Sequence, residues 1–296
     1  MTMKSVMRSL SVALGLLVGA TLSTAMAADT YKLAVTDVEG MERLQTEWGP
    51  FRTALEKATG LKFQFFPVNN RTAAAEALRA KRVDFVVSGP AEYVVINKMT
   101  KAKPVIGLGR PDYFCAVIVM AGSGINKLAD LKGQKVAFSD VGSTSGHLCP
   151  MQVFKDYGVD PLNDIKRVHT NRNIMHEALK RGDVKAIGYN HNSWITKARA
   201  KDKSVPAGAF RIIARSGDLP NDMIMAGVHL DAAVVKRFKD GVLKNKDVVI
   251  GGILAHEENS KYGGMDLHAV RDSDYDEVRA MYTTIGHPQY SKFVGD

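Results

Sequence analysis

Apolar positions along the chain fall into short runs separated by longer stretches with helical spacing. Tyr31–Thr36, Phe63–Val68, Val83–Val87, Val105–Gly109 and Phe114–Met120 are compact and β-rich, and each reads as a strand. Met41–Thr59 places Leu44, Trp48, Phe51 and Leu55 on one stripe, which predicts a helix stopped by Gly60. Arg71–Lys81 and Tyr93–Met99 read as further helices. A second set follows, with strands at Lys135–Phe138, Ile165–Thr170, Val184–Tyr189 and Phe210–Ala214, and helices around His147–Tyr157 and at Ile174–Arg181. After Pro220 the pattern is mainly helical, at Ala232–Leu243 and Asp274–Thr284. Strands alternating with helices predict βαβ units and a mostly parallel sheet in each set. The fold class is therefore α/β, with two lobes and a cleft between them. Ligands of open α/β sheets bind beyond the carboxyl ends of the strands. That directs attention to the loops after Thr36, Val87, Phe138, Thr170 and Tyr189.

The first 27 residues break this pattern. Lys4 and Arg8 precede an apolar stretch from Val12 to Ala20, and Ala25-Met26-Ala27 is a small-x-small sequence. This is the layout of a cleaved secretory signal, too short in its apolar part to span ~30 Å of hydrocarbon. The expected address is the periplasm. The net charge is +9, or +7 without Lys4 and Arg8, and a positive balance favours anionic ligands slightly by steering. The basic residues are scattered and no nucleic-acid motif is present, so nucleic acid is not an expected partner. Two cysteines without a CxxC exclude a disulfide scaffold and a cysteine-rich zinc site. No cofactor or metal motif is found.

The chemistry concentrates in Ser139-Asp140-Val141-Gly142-Ser143-Thr144-Ser145-Gly146-His147-Leu148-Cys149-Pro150. Three hydroxyls and two glycines precede a helix. Unpartnered N–H groups at a helix start carry partial positive charge, so the segment suits an oxyanion. A Ser/Thr-rich helix cap that binds nothing is the alternative. The Gly-x4-Gly-Lys-Ser/Thr spacing of a nucleotide-binding P-loop is absent. Nor is there a GxSxG elbow, which leaves a hydrolase with a cysteine or serine nucleophile as a remote alternative.

The run Lys127–Pro150, with Val83–Val95, Gly109–Val119 and Leu219–Ala226, resembles the periplasmic phosphate/phosphite/phosphonate-binding proteins of ABC transporters, the PhnD-like family. The resemblance implies a type II periplasmic-binding fold that closes over its ligand. The lobes it implies are 28–116 with 222–296, and 117–221. It implies a monomer that hands a small oxyanion to a membrane permease. Carried onto this chain, the family's ligand contacts fall on Tyr93 in the first lobe and on Ser143, Thr144 and Ser145 in the second. Gly146 and His147 lie beside them, and His176 stands at a helix start. Where the family has an acidic residue after a strand, the best match here is Asn190, which can both donate and accept. Cys115 lies in the strand expected to border the cleft. The family's arsenite-binding sensor branch, which signals to a two-component histidine kinase, uses a cysteine, and Cys115 is the residue that could serve so here. Three readings of Cys115 stand open: a thiol ligand, a buried apolar strand residue, and a disulfide with Cys149. His147 is either a cleft-lining group or part of the helix cap. Asp37, Val38 and Glu39 end the first strand near the cleft.

Overall fold

The computed structural model describes residues 29–36, 40–68 and 71–290. The expected signal segment and Asp37, Val38 and Glu39 lie outside these. The elements run in the order β1 (Thr30–Val35), α1 (Met41–Thr59), β2 (Lys62–Phe65), α2 (Arg71–Arg79), β3 (Phe85–Ser88), α3 (Pro90–Thr100) and β4 (Lys103–Gly109). The chain then crosses to a second sheet with β5 (Cys115–Met120), β6 (Lys135–Phe138), α4 (Cys149–Asp156), β7 (Lys166–His169), α5 (Arg172–Arg181), β8 (Ala186–Asn190), α6 (His191–Ser193) and β9 (Phe210–Arg215). It returns with β10 (Asp222–Ala226), α7 (Ala232–Lys244), α8 (Lys246–Leu254), β11 (Asp266–Ala269) and α9 (Asp276–Thr284).

The first sheet has the order β11-β4-β10-β3-β1-β2 and the second β7-β6-β8-β5-β9. Each contains a parallel trio, β2-β1-β3 and β7-β6-β8. Beside each trio lies an antiparallel strand that follows a crossing: β10 against β3 and β4, and β5 against β8 and β9. The ladders are therefore mixed rather than mostly parallel, because the strands that enter from the other lobe run the opposite way. This is a type II periplasmic-binding fold. Cys115 and Ala116 already pair in the second sheet, two residues ahead of the expected division after 116. The crossings occupy 110–114 and 216–221.

Local rules account for the main elements. In α1 the stripe Leu44, Trp48, Phe51 and Leu55 is buried, and Gly60 ends the helix in a left-handed conformation at φ 67°. Fully burying each such side chain is worth about 1.5–3 kcal/mol. α8 crosses α1 closely at Gly252, where a Cβ would stand 2.5 Å from that of Ala54. Two strands of the last third, β10 and β11, and the helix α8 were not marked by the sequence pattern. α9 does not stay with the first lobe: it packs on α3 of that lobe and on α4 of the second. Among the described residues no helix is long and apolar enough to cross a membrane.

Candidate functional site

A polar cavity of about 590 Å³ lies between the lobes. From the first lobe come Gly89, Pro90 and Glu92 at the start of α3, with Asp222 and Lys261. Arg110 and Tyr113 belong to the outgoing crossing. From the second lobe come Asp140, Ser143, Thr144 and Ser145 after β6, Asn171, Arg172 and Asn173 after β7, Asn190 at the end of β8 and Ser193 after it. Four of the five loops singled out from the strand ends thus meet here. The fifth, after Thr36, runs into residues outside those described.

The second-lobe wall is built from helix starts. Ser143 caps the π-helical turn Thr144–Leu148 by accepting from the Gly146 N–H at 3.3 Å. That turn continues into α4. Asn171 caps α5 by accepting from Ile174 N–H at 3.0 Å, and Asn190 accepts from Ser193 N–H at 2.7 Å. Each cap uses a side-chain oxygen and leaves partial positive charge at the cavity edge. Gly146 is required by shape: a Cβ there would stand 1.9 Å from Ser139 Oγ. His147 supports the loop from behind. Its Nδ1 accepts from Gly142 N–H at 3.0 Å and its ring packs against His169 at 4.6 Å. Burial, with His169 and Arg167 nearby, lowers its pKa to about 3, so it is neutral.

The first-lobe wall carries charge in paired form. Arg110 Nη2 and Asp222 Oδ1 are 2.9 Å apart, the carboxylate buried and the guanidinium largely so. Asp222 Oδ2 also accepts from Tyr262 Oη at 2.6 Å and faces Lys261 Nζ at 3.5 Å. Burial opposes the charge on Arg110, but Asp222, with Tyr113 and Tyr262, outweighs it and raises the guanidinium pKa. The Arg110 guanidinium lies 3.7 Å from the centre of the Tyr113 ring, a cation–π stack. Burial raises the pKa of the Tyr113 hydroxyl, opposed by the nearby Arg110 guanidinium and Ser145. One contact joins the lobes across the cavity edge: Ala91 N–H donates to Thr144 Oγ1 at 3.1 Å.

Of the residues expected from the sequence, Ser143, Thr144, Ser145 and Asn190 line this cavity, and Gly146 and His147 shape it from behind. Tyr93 does not line it. Its hydroxyl donates to Asp272 at 2.6 Å and its ring packs on Tyr275. His176 also points elsewhere, with Nε2 2.8 Å from Asp202 Oδ2 and Nδ1 accepting from Trp194 Nε1 at 3.3 Å. Glu177 and Asp202 stand beside it in a metal-like group, but Lys180 Nζ is 2.9 and 3.0 Å from their oxygens and supplies the cation. Cys115 is bonded to Cys149 and both are fully buried, which is the disulfide reading of Cys115; it removes the free-thiol reading and leaves the arsenite-sensor alternative without support. Arg110, Tyr113, Asp222 and Lys261 went unmarked. Arg110 and Tyr113 lie inside Gly109–Val119 and Asp222 inside Leu219–Ala226, two of the segments that carry the family resemblance, and that placement was their only signal; Lys261 had none.

A family profile described as "ABC transporter, phosphonate, periplasmic substrate-binding protein" matches residues 33–250. The phosphate-import protein PhnD of Mycolicibacterium smegmatis is 27% identical over 278 residues, covering 87% of this chain and 86% of that one. Among solved structures, a protein of Xanthomonas citri bound to ATP superposes with a TM-score of 0.68 at 15% identity, covering 88% of this chain and 98% of that one. PhnD1 of Prochlorococcus marinus in complex with methylphosphonate gives 0.59 at 18% identity, over 87% and 98%. With the profile covering well over half of its length, the chain belongs to the periplasmic substrate-binding protein family of ABC-type phosphonate transporters.

Proposed function

We propose that this protein captures a small tetrahedral phosphorus oxyanion, a phosphonate, phosphite or phosphate, by closing its lobes, and delivers it to a membrane permease without chemical change. The observation that carries the reading is the meeting of three capped helix starts and the Ser143, Thr144 and Ser145 hydroxyls on one polar cavity wall. These neutral donors replace the hydration shell of the anion, and each hydrogen bond to a charged oxygen is worth roughly 1.5–3 kcal/mol. Ser143, Thr144 and Ser145 hold the anion from the second lobe, with Asn190 and Arg172 beside them. Tyr113 and Arg110 meet it from the crossing. Gly146 and His147 keep the loop in shape. Tyr93 and His176 act one layer back, as packing and bracing groups. Asn190 can donate as well as accept, so binding does not demand a protonated ligand oxygen. Residues 1–27 direct export to the periplasm.

Calorimetric titration with phosphate, phosphite, methylphosphonate and methanesulfonate tests the reading. A phosphorus oxyanion at 100 times its Kd should stabilise the fold by about 2.7 kcal/mol. Ser145→Ala should weaken that ligand. Binding of methanesulfonate alone, or of none of the four, would overturn the assignment.

A further inference from the structure

The C-terminal arm, 271–290, touches both lobes at once. On the first lobe, Tyr282 Oη donates to Ala91 C=O at 3.1 Å, at the start of α3, and Asp272 accepts from Tyr93. On the second lobe, Thr284 Oγ1 donates to Gln152 Oε1 at 2.5 Å, on α4. At the returning crossing, Tyr275 Oη donates to Asn221 C=O at 3.3 Å. The arm's apolar side chains, Val278, Met281 and Tyr282, are fully buried in one cluster that holds residues of α3 and of α4 together.

The two helices braced by the arm are the ones whose starts line the cavity. Their contact is the bond from Ala91 N–H to Thr144 Oγ1. The Ala91 residue is thus gripped twice, its N–H by the second lobe and its C=O by the arm. Separating α3 from the Thr144 turn breaks that bond and pulls α9 away from either α3 or α4, since α9 cannot follow both. We propose that the arm is an inter-lobe strap that favours the closed arrangement and so sets ligand affinity through Tyr282 and Thr284, neither of which lines the cavity. These two are positioning residues. A ligand that needs the closed form binds with an affinity scaled by the fraction of molecules already closed. The proposal rests on the oxyanion reading only for its affinity consequence.

The test uses the full exported chain, with Tyr282→Phe, Thr284→Val and the control Thr284→Ser. Three quantities are read: exchange of the Ala91 amide hydrogen, the ligand-free radius of gyration by small-angle scattering, and the Kd for inorganic phosphate. Loss of one hydrogen bond should speed Ala91 exchange and raise Kd ~3–10-fold in the first two variants, with a larger radius, while Thr284→Ser stays near wild type. Unchanged Ala91 exchange overturns the strap. So does uniform acceleration of all amides at a constant radius, which marks a general loss of stability. If the wild type fails to bind phosphate but the radius and the Ala91 amide respond as stated, the strap stands and the oxyanion reading fails instead.

Discussion

The two walls of the cavity solve the problem of polarity between sheets in opposite ways. The second-lobe wall offers mainly neutral donors, capped helix starts and three hydroxyls, with Asp140 and Arg172 among them. The first-lobe wall offers full charges that already answer one another, Arg110 to Asp222 and Asp222 to Tyr262 and Lys261. Neutral dipoles can be left facing a cavity and later turned to an anion at little cost. Buried full charges cannot, since one stripped of its partner costs several kcal/mol. The charges of the first wall therefore hold one another in place, whereas the dipoles of the second can reorient.

The sharpest way to break this contrast is Asp222→Ala. It leaves Arg110 buried without its carboxylate and should cost about 3–5 kcal/mol in denaturant unfolding. An effect below 1 kcal/mol would mean that the first wall is no lock. Next comes acidification, which probes the second wall. His147 is neutral in the fold with a pKa of about 3, well below the ordinary imidazole value. The unfolded chain binds a proton near pH 6.5, so this stability is present above 6.5 and is lost as the pH falls towards 3. The loss should be on the order of 2–4 kcal/mol, and His147→Gln should flatten that part of the unfolding-against-pH curve. Gly146→Ala ranks third. Its methyl collides with Ser139 Oγ, and overpacking of this kind costs about 1–3 kcal/mol. It should also abolish phosphate or phosphonate binding in calorimetry. Smallest in stability is Ser145→Ala, within about 1 kcal/mol of wild type by thermal melting, with ligand affinity roughly tenfold lower. Equal losses in melting and in affinity would erase the distinction between the walls.

Much of the second wall was legible because its signals are local. A strand, a Ser/Thr/Gly segment and a helix start are contiguous from Lys135 to Asp156, and the segment reaches the cavity as that order implies. The first wall was not legible in this way. Arg110, Asp222 and Lys261 lie far apart in the chain, and only the antiparallel insertion of β10 between β3 and β4 brings them together. β10 itself follows Pro220 with five residues, and β11 has four of which one is buried, so neither carries a clear period. Tyr93 illustrates the limit of helix starts as landmarks. It follows Glu92 directly, but one residue is a rotation of ~100° on a helix, and that turns Glu92 to the cavity and Tyr93 to Asp272. With two cysteines in the sequence, Cys149, 34 residues onward, was the one candidate partner for Cys115, but nothing local to the apolar strand chose the disulfide over the other two readings.

That cystine also bears on biogenesis. The stretch it encloses contains β6 and the entire Ser139–Leu148 turn. Tying the ends of such a stretch trims the disorder of the denatured chain by about 3–4 kcal/mol. Forming the cystine before folding is complete therefore shortens the conformational search for the turn that lines the cavity. Maturation in a reducing compartment would leave that search unaided.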